Sequence, residues 1–252
     1  MERLWKFTKF VLPVLGFLLL WEGFARLRLF SPELFPPMSE VFVGMFQLLK
    51  TGALIVDIFW SSFRAIAGFV IGSALGIVIG VLTGRTKIFD VTVTPLMQVL
   101  RAIPSVALVP LVIAWFGLGE TPKIILVTWG VYFPTWINAY IGVSSVDINY
   151  IRAAQCLGAD YKTIMRKVVL PSALPIIVAG MRVGIALAFL NLVAAEMAGA
   201  SKGLGFRVEY SHQIFRIDQM ISAIIWLGIL GAGFDRGFAS FINKLFPWQR
   251  QR

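Results

Sequence analysis

The sequence predicts an all-α integral membrane protein of about six transmembrane helices. Composition is the first reason. Of 252 residues, 58% are hydrophobic and only 14% are charged, whereas a soluble domain averages about 45–50% apolar and about 25% charged. Such a chain can bury a core but lacks the polar surface to dissolve. Run length is the second reason. A helix needs roughly 20 apolar residues to cross the bilayer core, and runs near or above that length occupy 10–28, 57–83, 88–117, 122–146, 171–199 and 218–244. The third is the placement of basic residues. The net charge is +10, and the basic side chains mostly gather in short clusters between the apolar runs, as the positive-inside rule and anionic lipid contact would have it.

The first run, Phe10 to Arg28, follows a basic leader and could pass for a signal peptide. The bulky Trp21-Glu22-Gly23-Phe24 after it is no small-residue cleavage site, so a retained first span is expected. After Phe35-Pro36-Pro37, residues Val41, Phe42, Met45, Phe46 and Leu49 recur at helical spacing, which predicts a short helix over 38–50 lying on the outer interface. The second span carries Gly68, Gly72, Gly76 and Gly80 on one face, where another helix can approach closely. Packing within the chain is the preferred reading of that stripe, ahead of a dimer seam. Pro104 and Pro110 interrupt the third span and free backbone carbonyls, and the fourth contains Pro134. Arg182 and Glu196 lie in the fifth. Gly228, Gly231, Gly233, Asp235 and Arg236 lie in the sixth. Ser201 to Asp218 is expected to dip back toward a pore mouth.

With both termini inside, the inner segments hold the densest basic clusters: Arg3, Lys6 and Lys9; Arg85 and Lys87; Arg152, Lys162, Arg166 and Lys167; and Lys244, Arg250 and Arg252. An even number of spans then leaves N- and C-termini cytoplasmic. The chain reads as one domain, 1–252, with the first span and outer helix over 1–56 and core spans over 57–246. Trp60, Trp115, Trp129 and Trp248 are placed as interface anchors. A single cysteine, Cys156, excludes an internal disulfide and a cysteine metal site, and the lone His212 makes no proton relay. No metal site and no nucleic-acid partner are expected.

The longest polar inner segment is 147–171. Asp147 and Asp160 are suited to cap helices. Ile151, Ala154, Leu157, Tyr161, Ile164 and Val168 make an apolar face across two short helices, and Gly158 between them permits a sharp bend. Pattern alone supports two readings equally. The segment is either a knob for a groove on a soluble partner or a basic loop that only sets topology.

Arg152-Ala153-Ala154, then Gly158, Val168, Leu170 and Pro171, resembles the cytoplasmic motif of ATP-binding-cassette importer permeases: Glu-Ala-Ala, three residues, Gly, nine residues, Ile, one residue, Leu-Pro. The spacing matches throughout. Arg152 stands where the motif has Glu, and Val168 where it has Ile. Leu100-Arg101-Ala-Ile-Pro104, Ala107-Leu108-Val-Pro110-Leu111, Trp115-Phe116-Gly117, Pro36-Pro37 and Ala194-Ala195-Glu196 followed by Gly203-Leu204-Gly205 resemble the nitrate/sulfonate/taurine/bicarbonate branch. The likeness covers roughly the whole chain.

The resemblance implies a type I ABC-importer permease bundle, multi-pass in the bacterial plasma (inner) membrane. It implies one half of a dimeric pore, commonly a homodimer, with two separate ATPase subunits below and an external solute-binding protein above. ATP and Mg would sit on the partner ATPase and no cofactor on this chain, which has no Walker A pattern and is not expected to be an enzyme. Coupling to the ATPase would fall to Arg152, Ala153, Ala154, Gly158, Ala159, Leu170 and Pro171. For the translocation pathway, Arg101, Pro104 and Glu196 are the candidates. An intramembrane arginine costs about 2.5–3.5 kcal/mol on insertion scales, and at Arg101 it suits a small oxyanion such as sulfonate, nitrate or bicarbonate; a structural pair is the equal alternative. Glu196 reads equally as part of an outer gate or a contact with the binding protein, or as an interfacial partner of Lys202, while Arg64 and Arg182 read as structural. Rival functions are importers of riboflavin- or thiamine-precursor solutes and, further off, a passive anion channel.

Overall fold

The computed structural model describes residues 2–31 and 33–246, with side chains from residue 12 onward. Arg250, Arg252 and Trp248 lie outside the described residues, as do the side chains of Arg3, Lys6 and Lys9. Among the described residues the chain is all helical. The helices are α1 (Glu2–Arg26), α2 (Met38–Lys50), α3 (Ala53–Arg85), α4 (Lys87–Leu100), α5 (Val109–Phe116), α6 (Glu120–Ser144), α7 (Ile148–Cys156), α8 (Tyr161–Ile164), α9 (Leu170–Gly199), α10 (Leu204–Gln213) and α11 (Ile217–Leu245).

Four stretches are long and apolar enough to cross a membrane: α3, α6, the continuous run Tyr161–Gly199 and α11. The third span, expected to be interrupted at Pro104 and Pro110, is a bent pair, α4 and Ser105–Phe116, meeting at 84°. The reason lies at its prolines. Pro104, extended at φ −60° and ψ 122°, ends the first piece. Pro110 falls in the first turn of α5, where a missing N–H costs nothing, and so starts the second piece.

The glycine stripe sets the packing. Gly68, Gly72, Gly76, Gly80 and Gly84 of α3 lie against Val127, Val131, Thr135, Ala139 and Val143 of α6, each set advancing by four. A Cβ on Gly80 would stand 2.6 Å from the Ala139 Cβ, so the approach requires glycine. The stripe is therefore used within the chain. Because both numberings rise together, α3 and α6 are parallel, and the bent pair must return the chain to its starting end. α9 runs antiparallel to α6, with Gly142 against Ala173 and Gly130 against Asn191. A central core of Ala65, Phe69, Val127, Val131, Ile185, Ala188 and Leu192 fills the middle of the bundle, closed on the α11 side by Phe234 and Phe238.

α2 forms over the expected residues, and its contacts divide the apolar stripe. Val41 and Leu48 are buried, while Phe42 and Phe46 stay exposed. Gly44 meets Asp218 at the start of α11, and the Ser222 hydroxyl donates to the Val41 carbonyl at 2.9 Å. α1 meets α2 through its last turns. Trp21 Nε1 donates to the Pro36 carbonyl at 3.1 Å, and Glu22 accepts from the Ser39 amide and hydroxyl.

Candidate functional site

The 147–171 segment folds as two short helices around a glycine bend. Asp147 accepts from the Asn149 amide at 2.8 Å and Asp160 from the Thr163 amide at 3.2 Å, so both carboxylates cap the helices they precede. The Thr163 hydroxyl, then its amide, hold the Asp160 carboxyl below its ordinary range. Gly158 has φ +78°, a left-handed conformation that favours glycine. Ile151 and Ile164 are buried against Ala139, Val143 and Ala173 at one end of α6 and α9, with Ala154 and Ala159 packed beside them. Arg152, Ala153, Gly158, Lys162, Arg166 and Lys167 are exposed.

Three sequence expectations change here. Leu157 and Tyr161 point outward, with Leu157 88% exposed, because the turn at Gly158 breaks the helical register. Val169, rather than Val168, is buried, because Met165–Val169 form a π turn in which the Leu170 amide bonds back to the Met165 carbonyl. That wider turn also accounts for Pro171. Proline has no N–H to give the carbonyl four residues back, and its ring crowds that carbonyl. A π turn just before it lets the helix continue. Leu170 and Pro171 therefore do not open a span; the helix is continuous from Tyr161 to Gly199.

Arg101 caps the C-terminus of α4 at the bend, its amide bonded to the Met97 carbonyl at 3.0 Å. Its side chain is exposed and makes no hydrogen bond or ion pair among the described residues. Pro104 is exposed beside it. The next residue, Ser105, donates to Asn191 Oδ1 at 2.5 Å and ties the bend to α9. Asn191 is buried, and it fits only because Gly130 leaves room: a Cβ there would sit 1.8 Å from its amide nitrogen.

Glu196 lies at the other end of α9 from the 147–171 segment, fully buried within the chain. It accepts from the Ser61 hydroxyl at 2.9 Å, from Arg64 Nη1 at 2.7 Å and from the Gly205 amide at 2.8 Å. Arg64, also buried, bonds the Lys202 carbonyl and forks onto Glu120, which Lys123 meets from α6. Asp57 accepts from Arg207 and from the Gly203 amide at 2.7 Å and 2.9 Å. Gly203, at φ +127°, packs on the Glu196 carboxylate, where a side chain would clash. This network pins α10, in the segment expected to dip back toward a pore mouth, to α3, α6 and α9. Lys202 contributes its carbonyl rather than its ammonium. Sequence reasoning missed Asp57, Ser61, Glu120, Lys123, Asn191 and Arg207. One signal was present: Asp57, Ser61 and Arg64 are spaced by four and three, a polar face on an otherwise apolar helix.

Residues 72–239 match the family described as the binding-protein-dependent transport system inner membrane component. The chain belongs to that family. It is 38% identical over 247 residues to a protein of Methanocaldococcus jannaschii provisionally named as an ABC transporter permease, covering 96% of this chain and 92% of the relative. It is also 31% identical to the taurine transport system permease protein of Escherichia coli, over 92% of this chain and 86% of that one. The fold is similar to a solved chain of the MetNI methionine ABC transporter, with TM-score 0.61 and 21% identity, covering 79% of this chain and 97% of the other. This family of ABC-importer permeases works in the plasma membrane as the membrane-embedded, non-enzymatic component, and the multi-pass helical bundle described above accords with that place.

Proposed function

We propose that the chain is one of two identical permease subunits of an ATP-driven importer for a small oxyanion, delivered by an external binding protein and driven by two ATPase subunits that carry ATP and Mg. The observation that carries this reading is the exposed, basic α7–Gly158–α8 projection, joined without a break through the π turn to a membrane-crossing helix. A push on the projection is then a push on α9, the two-state coupling such an importer needs. A passive anion channel would leave that projection without a task.

Arg152, Ala153, Ala154, Gly158 and Ala159 are the proposed contacts with the ATPase, with Leu170 and Pro171 transmitting. The dense basic clusters support a cytoplasmic place for this end. Six crossings follow if α1 and the bent pair each count as one. The last turns of α1 meet α2 at the opposite end, which supports cytoplasmic termini, residues 1–56 as a peripheral unit and 57–246 as the core.

An arginine at the α4–α5 bend with no partner among the described residues supports an anionic solute, as does the taurine permease among the relatives; nothing comparable favours a riboflavin- or thiamine-precursor solute. Arg101 and Pro104 are proposed to line the pathway. Glu196 is proposed to fix its outer end from within rather than to meet solute. Uptake of taurine, nitrate or bicarbonate into vesicles holding the assembled importer should require ATP. Arg101→Ala should abolish it with assembly intact. Uptake without nucleotide, or unchanged transport in Arg101→Ala, would overturn the reading it tests.

A further inference from the structure

Three charged side chains cluster on α9 and α11 away from every site described so far. Arg182 Nε donates to Asp235 Oδ1 at 2.8 Å and Arg182 Nη2 to Oδ2 at 2.7 Å, a two-point fork. Arg236 follows directly, exposed, with no hydrogen bond or ion pair among the described residues. Two guanidinium groups against one carboxylate leave a net single positive charge.

The setting is unlike that of the other interhelical ion pairs. Arg64–Glu196 and Arg207–Asp57 leave at most 14% of a side chain exposed, whereas Arg182 is 50% and Asp235 34% exposed. Both lie well inside long apolar helices. The α11 face beside Arg236 is open, since a Cβ at Gly233 or Gly237 would meet nothing within 4 Å. Charged groups inside a span almost always face a water-filled cavity or other protein rather than lipid. Guanidinium forks suit planar and tetrahedral oxyanions, and a carboxylate on the fork holds the edge that an oxyanion would use.

We propose that Arg182 and Arg236 form an intramembrane oxyanion site on the solute path, with Asp235 as the resident group that the solute displaces from the Arg182 fork. The proposal rests on the oxyanion-importer reading and adds a second site to Arg101. Displacement makes the site self-limiting. An anion must compete with Asp235 to bind, and Asp235 returns to release it.

The test uses the full-length chain in lipid nanodiscs, with nitrate and methanesulfonate as probes and binding read by calorimetry in a buffer free of competing anions. Asp235→Asn should lower the half-saturating concentration by about tenfold, and Arg236→Gln should raise it by about tenfold, the scale of one charged hydrogen bond. Arg182→Lys, which keeps the charge and loses the fork, should also weaken binding. Arg236→Gln removes no hydrogen bond or ion pair among the described residues, so it should fold normally and keeps the test decisive if Asp235→Asn does not. Unchanged affinity in folded Arg236→Gln and Arg182→Lys, or no binding by the parent chain, overturns the site. ATP-dependent oxyanion uptake that persists alongside any of these results leaves the importer reading standing and sinks this inference alone.

Discussion

Replacing Glu196 with alanine should be among the most damaging single changes outside the helix–helix glycines. The carboxylate accepts from three buried donors, the Ser61 hydroxyl, Arg64 Nη1 and the Gly205 amide. Removing one partner of a buried ion pair costs about 3–5 kcal/mol. Arg64 keeps Glu120 and the Lys202 carbonyl, which places the expected loss at the lower end, about 3 kcal/mol. For a chain of this size about 1 kcal/mol moves the midpoint by about 2–4 °C, so the shift should be about 6–12 °C. The assay is thermal unfolding of the detergent-solubilised chain followed by tryptophan fluorescence. A double-mutant cycle isolates the pair: Arg64→Met with Glu196→Met should be less destabilised than the sum of the single changes, because neither charge is left alone. Full additivity, or a midpoint within 1 °C of the parent for Glu196→Ala, would refute the network as the anchor of α10.

Gly76→Leu should prevent accumulation in the membrane, since a Cβ alone would stand 2.8 Å from Thr135 and the rest of the side chain has nowhere to go; immunoblotting of membranes checks it. Gly158→Val should cost about 1–2 kcal/mol locally through its left-handed backbone, lowering solute-stimulated ATP hydrolysis in the assembled complex while membrane levels hold. Arg152→Glu should change the affinity for the ATPase subunit, read by co-purification at graded salt; unaltered coupling would mean that docking depends on shape. The Asp160 cap should fail in acid. Its carboxyl is depressed in the folded chain, so the cap contributes fully above the ordinary value of 3.8 and is lost as pH falls through the lower folded value. Amide exchange at residues 161–164 should accelerate there in the parent but not in Asp160→Asn, which retains a capping oxygen.

What the sequence revealed was whatever local chemistry determines. Asp147 and Asp160 cap helices because an acceptor is wanted at those points whatever the chain does later. The stripe from Gly68 to Gly80 announced a close neighbour, and the bounds of α2 followed from the Pro36-Pro37 start and the spacing behind it. Register lost over distance was harder to see. The break in the apolar run 88–117 at Pro104 and Pro110 was legible, but the steep angle between its pieces was not. The periodicity from Ile151 through Val168 was counted straight across Gly158 and the π turn, each of which resets the phase. At the candidate site, Arg101 stood out because it is alone in an apolar run. The network around Glu196 did not, because Asp57, Glu120 and Arg207 sit near helix ends, where charges look solvated until tertiary contacts bury them.

The five matched contacts between α3 and α6 make these two helices a single slab. Gly68 to Gly84 have no slack against their partners, and sliding by one residue would set side chains against backbone at every step. Such a pair has one register and resists shear. If the subunit alternates between outward and inward access, the slab is the fixed frame, and the travelling surfaces are those around it: the α4–α5 elbow, held to α9 through Ser105 and to α6 through Met97, and the open face of α11.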